Sequence, residues 1–403
     1  MNSIREIYRI GRGPSSSHTM GPESACKLMK RLYPIAERFE VTLLGSLAKT
    51  GVGHRTDYAI YKAFEGIPVD IIFNTEEQLL KHPNTLKIRG FKNDNLICDY
   101  TFYSIGGGAI EIEGSDKIEN KTVYSESRFR DVENVCMNGN ISICQYIKNN
   151  EDKEIFIYLN SVWKQMKDTI YSGLAKFQTI PGGLGLKRRA NTLYDFAQKE
   201  KDYSKKERYT ISAYAYATSE ENASGEVIVT APTCGSAGVL PAVLMYEQQH
   251  SGFSDDEIVE ALAVAGIIGN IVKTNASISG AECGCQAEVG TACAMASAAL
   301  CKLHGLSLKQ IECAAEIAIE HNLGLTCDPV KGLVQIPCIE RNAAAALQAY
   351  DLANLAEVIY YNKKVSFDLV VKTMFETGKD LSCRYRETAE GGLASLFNNS
   401  SKF

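Results

Sequence analysis

The chain has no long hydrophobic run. Its longest apolar stretch, ALAVAGIIGNIV at residues 261–272, is too short to span a bilayer and contains Asn270. The N-terminal residues MNSIREIYRIGRG hold no apolar segment of the kind that directs secretion. We therefore expect a cytoplasmic protein that does not associate with membranes.

The chain also lacks a large excess of charge of one sign. Its 43 Lys and Arg residues against 48 Asp and Glu residues give a net charge of −5, without a polybasic face for nucleic acid. Nucleotide-binding loops are missing too. In GSLAKTGVGHRTD, residues 45–57, Val52 follows Gly51 where a P-loop requires lysine. FYSIGGGAI, residues 102–110, does not fit G-x-G-x-x-G. We predict neither a nucleic acid nor a nucleotide ligand.

A disulfide framework is excluded by size and by the predicted compartment, so the 13 cysteines are read as free thiols or metal ligands. The C-x₂-C spacings of ferredoxins and zinc sites are absent. Cys285 directly precedes a predicted helix, and Cys338 lies in the first turn of another, where the thiolate is favoured. On spacing alone a metal site is only weakly indicated. Three further cysteines lie inside Ala-rich predicted helices and resemble core residues, namely Cys293, Cys301 and Cys313.

The length of 403 residues predicts two domains. Residues 39–44, 69–73 and 101–112 read as strands, and helices are expected after Pro22 and over 58–64. From residue 155 onward helical periodicity dominates. The predicted helices are 155–174, 187–200, 205–218, 238–250, 254–273, 286–304, 307–321, 336–350, 353–362 and 365–378. We predict an α+β protein with a small N-terminal α/β domain, residues 1–150, a linker near 145–157 and a larger, mostly α-helical domain, residues 151–403.

Two polar loops are candidate functional sites. GPSSSHTMGP, residues 13–22, places the hydroxyls of Ser15, Ser16, Ser17 and Thr19 and the imidazole of His18 ahead of a predicted helix, where an anion would bind. The alternative is an ordinary helix cap. His54 follows on a Gly-rich loop with Asp57 nearby, as a base or hydrogen-bond donor, or else as a surface histidine. The remaining histidines have structural explanations, namely His82, His250, His304 and His321.

Nine segments of this sequence resemble one known family. GRGPSSSHTMGP, GSLAKTGVGHRTDYAI and FYSIGGGAI resemble the β region of bacterial iron–sulfur L-serine dehydratases. The α region of the same enzymes is similar to VWKQM, PGGLGLKRRA, EENASGEVIVTAPTCGSAGVLPAVL, NASISGAECGCQAEVG, CDPVKGLVQIPCIERNAAAA and YRETAEGGLA. The segments follow the family's order over nearly the whole chain. The chain thus resembles the single-chain form, in which both regions are fused.

The resemblance implies conversion of L-serine to pyruvate and ammonia by β-elimination, in an enzyme that we expect to be a homodimer. It implies a [4Fe–4S] cluster held by Cys285, Cys327 and Cys338, with His18 and His54 facing the substrate and either of them as the base. It places three further polar residues near the cluster, namely Asn275, Ser277 and Ser279. The chain differs from the family pattern in having Cys234 and Cys283. Cys283 could compete with Cys285 as a ligand, although the family pattern favours Cys285. Its last cysteine is Cys383, so a tail thiolate is not expected on the open iron.

Three alternatives stay open at this point. A pyridoxal-phosphate dehydratase would use TAPTCGSAG as a phosphate cup, but no lysine motif matches, and we predict no pyridoxal phosphate. The same scaffold could eliminate sulfide from L-cysteine. A non-catalytic iron–sulfur redox or sensor protein would usually close its cluster with a fourth ligand, and no clear fourth cysteine accompanies the three.

Overall fold

The computed structural model of the chain describes residues 1–76, 81–114 and 122–400. Its N-terminal part is built around a five-stranded mixed sheet in the order β3-β2-β4-β5-β6, in which only the β2–β3 pair is parallel. The strands in the described residues are β1 (Ile10–Arg12), β2 (Arg38–Leu44), β3 (Val69–Asn74), β4 (Thr85–Lys92), β5 (Asn95–Gly106), β6 (Ala109–Ile112) and β7 (Val227–Val229).

Helices make up most of the rest of the described chain. They are α1 (Gly21–Leu32), α2 (Gly45–Thr50), α3 (Thr56–Ala63), α4 (Phe129–Gly139), α5 (Ile143–Asn150), α6 (Ile155–Leu174), α7 (Ala190–Lys199), α8 (Tyr203–Ala223), α9 (Val239–Ser251), α10 (Asp255–Asn275), α11 (Gly280–Cys283), α12 (Thr291–Leu303), α13 (Leu308–Glu320), α14 (Cys338–Ile359), α15 (Phe367–Asp380) and α16 (Gly392–Ser400). None of the helices within the described ranges is long and apolar enough to cross a membrane.

The small sheet has its own core. Phe39, Val41 and Leu43 alternate along β2 and are fully buried, as the period of a half-buried strand requires. Met29 of α1 and Ile60 of α3 pack in the same cluster. Because burying each such side chain stabilises by about 1.5–3 kcal/mol, this cluster fixes where the loops that follow β1 and β2 lie.

The larger core is formed by the helices that follow. Residues Thr291–Cys301 of α12 are all buried, and α12 packs against α10, α13 and α14. Alanine-rich faces allow this close approach, and a helix that is apolar all round belongs in an interior. The first residues of the chain join this core, since Ile4, Ile7 and Tyr8 pack in it.

A two-stranded antiparallel ribbon connects the two regions. In it β1 pairs with β7, with Ile10 opposite Val229. GPSSSHTMGP, residues 13–22, follows directly after β1 and is called the Ser-His segment below. TAPTCGSAG, residues 230–238, follows directly after β7. The ribbon therefore places loops from both regions side by side, and this is where the site lies.

The α+β class is confirmed by this arrangement. Two local predictions are wrong. The helices expected at 336–350 and 353–362 are one helix, α14, because Asp351 lies on its exposed face and does not break it. The linker expected near 145–157 is mostly helical, because α5 and α6 are separated only by residues 151–154 and pack in the same core. The division into domains at residue 150 stays a prediction.

Candidate active site

The Ser-His segment forms the start of α1. Residues Ser16–Met20 make a π-helical turn that runs into the helix, capped by the Ser15 hydroxyl, which accepts a hydrogen bond from the His18 amide at 3.1 Å. A second π-helical turn, Gln286–Gly290, follows Cys285 and leads into α12. Single π-helical turns are rare in proteins as a whole, and those that occur are often at functional sites. Their presence in both segments is therefore a sign that these segments are functional.

Reciprocal hydrogen bonds hold the two histidine loops together. The Thr19 hydroxyl donates to the His54 carbonyl at 2.7 Å, and the Thr56 hydroxyl donates to the His18 carbonyl at 2.6 Å. The two imidazole rings are fully buried and lie 4.4 Å apart between centroids. Two loops separated by more than thirty residues thus present one pair of histidines.

The two imidazoles differ in their partners. His18 has a hydroxyl on each ring nitrogen, Ser17 on Nδ1 and Ser46 on Nε2, both at 2.9 Å. His54 Nδ1 lies 3.0 Å from the Thr50 carbonyl, which only accepts, so Nδ1 carries the proton. His54 Nε2 therefore carries an unshared electron pair and no proton. Within the described residues it has no hydrogen-bond partner.

Burial keeps both histidines neutral. It lowers the pKa of His54 to about 4, and the Thr50 hydrogen bond offsets this only in part. Burial, followed by the charge of His54, holds the pKa of His18 well below its usual value. At neutral pH, His54 is therefore an unprotonated base whose free nitrogen is fixed in direction.

A carboxyl group stands beside the histidine pair. Glu387 Oε1 is 3.6 Å from His18 Nδ1 and 3.8 Å from His54 Nε2. Its backbone is tied to the Cys327 loop, since the Cys327 amide donates to the Tyr385 carbonyl at 2.7 Å and the Glu387 amide donates to the Cys327 carbonyl at 2.8 Å. Burial, with the charge of Cys285, raises the pKa of Glu387 to about 8.

Three buried cysteines, Cys285, Cys327 and Cys338, lie close enough to Glu387 for their charges to interact with it. The ligand atoms of Cys285, Cys327 and Glu288 all lie within 4.8 Å of one another. Cys338, at the start of α14, is close enough to Cys285 for their charges to interact. Arg341, one turn into α14, interacts with the charges of all three thiols and donates to the Thr326 carbonyl at 2.6 Å.

These residues fit a thiolate-bound metal cofactor. Every cysteine of the described chain is free of disulfides. The hydrogen bond from Cys327 and the charge of Arg341 outweigh burial and lower the pKa of Cys285 to about 6, which favours the thiolate that metals bind. Gly280 leaves room for the Glu288 and Cys327 side chains, because a Cβ at this position would meet Glu288 Oε2 at 2.6 Å and Cys327 Sγ at 3.1 Å.

The two unexpected cysteines lie apart from this group. Cys283 is packed against α15, where a Cβ at Gly378 would meet its Sγ at 2.6 Å. Burial, with the charge of Glu282, raises the pKa of the Cys283 thiol to about 11. Cys234 is buried against Met20, with 3.8 Å between the two sulfur atoms. Of the pair Cys283 and Cys285, the structure brings Cys285 beside Cys327.

The other residues expected near the site are more scattered. Asn275 lies at the exposed end of α10 and donates to the Ser127 and Ile271 carbonyls. Ser277 donates to Glu282, and the Ser279 amide donates to Ser277 Oγ at 3.0 Å. Ser279 lies against the end of β5, where a Cβ at Gly106 would meet Ser279 Cβ at 3.6 Å. Asp57 is half-buried in the first turn of α3, and Ser16 is buried at the start of the π-helical turn. Their roles in binding stay predictions.

Four residues of the site are not among those predicted from the sequence. They are Ser46, Glu288, Arg341 and Glu387. Each lies inside one of the quoted segments, and three are charged residues in segments otherwise rich in glycine, alanine and cysteine. That contrast is a usable signal, since charged side chains are rarely fully buried unless they are partnered.

Comparison with known proteins identifies the family of this chain. Residues 3–69 match the family model "Serine dehydratase beta chain", and residues 71–394 match "Serine dehydratase alpha chain". The chain belongs to the serine dehydratase family. L-serine dehydratase of Haemophilus influenzae is 38% identical over 98% of this chain and 99% of its own length. L-serine dehydratase 1 of Escherichia coli is 39% identical over 98% and 99%. L-serine dehydratase of Streptomyces coelicolor is 38% identical over 97% and 98%.

Proposed function

We propose that this chain is an L-serine dehydratase, which eliminates the hydroxyl group of L-serine and forms pyruvate and ammonia. The observation that carries the proposal is the buried Nε2 of His54, which has no hydrogen-bond partner within the described residues and lies 3.8 Å from Glu387, a carboxyl group that interacts with the charge of Cys285. Elimination requires a base for the Cα proton and activation of a poor leaving group. Relatives with the name L-serine dehydratase match along nearly the whole chain, which supports the same substrate.

Cys285, Cys327 and Cys338 are the proposed ligands of a [4Fe–4S] cluster, with one iron left without a protein thiolate. When bound, such a cluster supplies a Lewis acid for the serine hydroxyl. Arg341 holds the thiolates by its positive charge. Glu288, held by the Thr233 hydroxyl at 2.7 Å, stands next to them as an alternative oxygen ligand.

His54 is the proposed base. Its Nε2 takes the Cα proton, while the Thr50 carbonyl keeps the proton on Nδ1 and the Thr19 hydroxyl holds the backbone of the loop. His18 has no free nitrogen, because Ser17 and Ser46 occupy both. We therefore assign the substrate carboxylate to the hydroxyl groups of the Ser15–Ser17 turn, which His18 orients through Ser17 at the start of a helix whose first N–H groups attract an anion.

Pyruvate release tests the function directly. Anaerobically reconstituted protein incubated with L-serine should form pyruvate and ammonia in equal amounts, and activity should be lost in air because an iron open to substrate is open to oxidants. A protein with an intact cluster that forms no pyruvate would point to a redox or sensor role. Faster turnover of L-cysteine than of L-serine would favour sulfide elimination, and aldimine absorbance without iron would favour pyridoxal phosphate.

The buried His54 should make folding stability depend on pH. Below pH 6.5 the unfolded chain binds a proton that the folded chain excludes until about pH 4, so stability falls as the pH falls. At pH 5 this costs the folded state about 2 kcal/mol. In chemical denaturation at pH 7 and pH 5, His54→Gln should lose that part of the decrease, whereas the exposed His250→Gln should keep it. An unchanged decrease in His54→Gln would contradict the buried, neutral imidazole.

A further inference from the structure

We propose that Glu387 binds the α-ammonium group of the substrate and thereby makes the site selective for amino acids over hydroxy acids of the same shape. The proposal rests on the function proposed above. It concerns a residue in the YRETAEGG segment near the C-terminus, which the sequence analysis left without a role. Three observations support it, and they concern the partners, the distances and the backbone of Glu387.

The first observation is an unmatched buried carboxyl group. Only 10% of the Glu387 side chain is exposed, and within the described residues its oxygens make no hydrogen bond. Its nearest partners are the ring nitrogens of His18 and His54, which are neutral. Two cations of the quoted segments have other partners: Lys49 pairs with Glu390, and Arg341 interacts with the charges of the three thiols. A buried carboxyl group without a partner is unfavourable, and a substrate ammonium group would supply both the hydrogen bonds and the positive charge that its ionised form requires.

The second observation is the distance between Glu387 and the proposed base. In an amino acid the ammonium nitrogen and the Cα hydrogen are bonded to the same carbon. A group that binds the first and a base that removes the second must therefore lie within a few ångströms of each other. Glu387 Oε1 and His54 Nε2 are 3.8 Å apart, and His18, which orients the hydroxyl groups assigned to the carboxylate, is 3.6 Å from the same oxygen. One substrate carbon can face all three groups.

The third observation is the backbone of Glu387. Its φ is +58°, in the left-handed region that a side chain other than glycine seldom occupies. The hydrogen bonds between the YRET segment and Cys327 hold this conformation. Such strain is concentrated at functional sites, where it fixes the direction of a side chain. Here it directs a carboxyl group from the C-terminal segment between two histidines of the N-terminal region.

The test compares two ligands that differ only in the group that Glu387 would bind. L-alanine and L-lactate share the carboxylate and methyl groups, and neither has a leaving group on Cβ. Calorimetric titration of the anaerobic holoenzyme should show that the wild type prefers L-alanine. Because hydrogen bonds to charged groups are the strong ones, Glu387→Gln should weaken L-alanine binding by roughly 10- to 100-fold and leave L-lactate binding nearly unchanged.

A matched control lies in the same segment. Glu390 is exposed, and Glu390→Gln should keep the wild-type preference. Glu387→Asp, which keeps the charge on a shorter side chain, should retain part of it. The proposal would be overturned if Glu387→Gln kept the preference, or if both ligands were weakened equally in a folded variant. If wild type prefers L-alanine through Glu387 but forms no pyruvate from L-serine, the ammonium site stands and the proposed function fails.

Discussion

His54→Gln should lower kcat for L-serine by roughly 10²- to 10⁴-fold, the usual contribution of a positioned general base. The reason is geometric. Among the residues that the structure describes, His54 Nε2 has no hydrogen-bond partner, its direction is fixed by the Thr50 hydrogen bond, and burial keeps it unprotonated at neutral pH. Glutamine preserves polarity and approximate size and has no basic nitrogen. The measurement is steady-state pyruvate formation at matched iron content.

The matched comparison is His18→Gln in the other half of the pair. Both ring nitrogens of His18 are hydrogen-bonded to serine hydroxyls, so His18 is assigned to substrate binding and not to proton removal. Replacing His18 should therefore raise KM more than it lowers kcat. His250→Gln, on the exposed end of α9, should change neither. If His18→Gln abolished kcat while His54→Gln kept more than a tenth of it, the assignment of the base would be reversed.

Replacing any one of Cys285, Cys327 and Cys338 with serine should abolish both the bound iron and the activity. Serine keeps the shape of the side chain and replaces soft sulfur by hard oxygen, a poor ligand for an iron–sulfur cluster. The measurement is iron and acid-labile sulfide per chain after anaerobic reconstitution, together with visible absorbance. These readouts report the cluster even where activity is lost for another reason.

Cys293→Ser and Cys313→Ser are the matched controls, since both thiols are buried inside helices and lie outside the group at Cys327. They should keep the full iron content. Loss of iron in either would show that the ligands are misassigned. Retention of iron by Cys338→Ser together with its loss in Glu288→Gln would replace the three-cysteine cluster by a site built on Cys285, Glu288 and Cys327.

Local patterns predicted much of the fold. The alternation in β2 and the helical periodicity after residue 155 were sufficient to place most elements, because both patterns are set by which side chains are buried. They failed at α5 and at Asp351 of α14, where polar residues form the exposed face of a helix and resemble a loop. The packing of Ile4 and Tyr8 into the helical core is a long-range contact that no local pattern reports.

The site was predictable to a different degree. Each histidine and cysteine segment stood out by composition, and the resemblance supplied a role for each. The sequence gives no sign that Thr19 and Thr56 join the two histidine loops, or that Glu387 reaches them from a distant segment. These contacts depend on tertiary packing. The structure also distinguishes the roles of His18 and His54. Within the described residues it shows that His54 Nε2 has no hydrogen-bond partner, whereas both ring nitrogens of His18 have one.

Initial rates with L-serine and with L-serine deuterated at Cα test most directly whether His54 removes the Cα proton. Without the base, proton removal becomes the slow step. The His54→Gln variant, loaded with iron to the wild-type level, should therefore be slower than the wild type and show a larger primary isotope effect. A His54→Gln variant with the wild-type rate, or one that is slower with no isotope effect, would contradict this role.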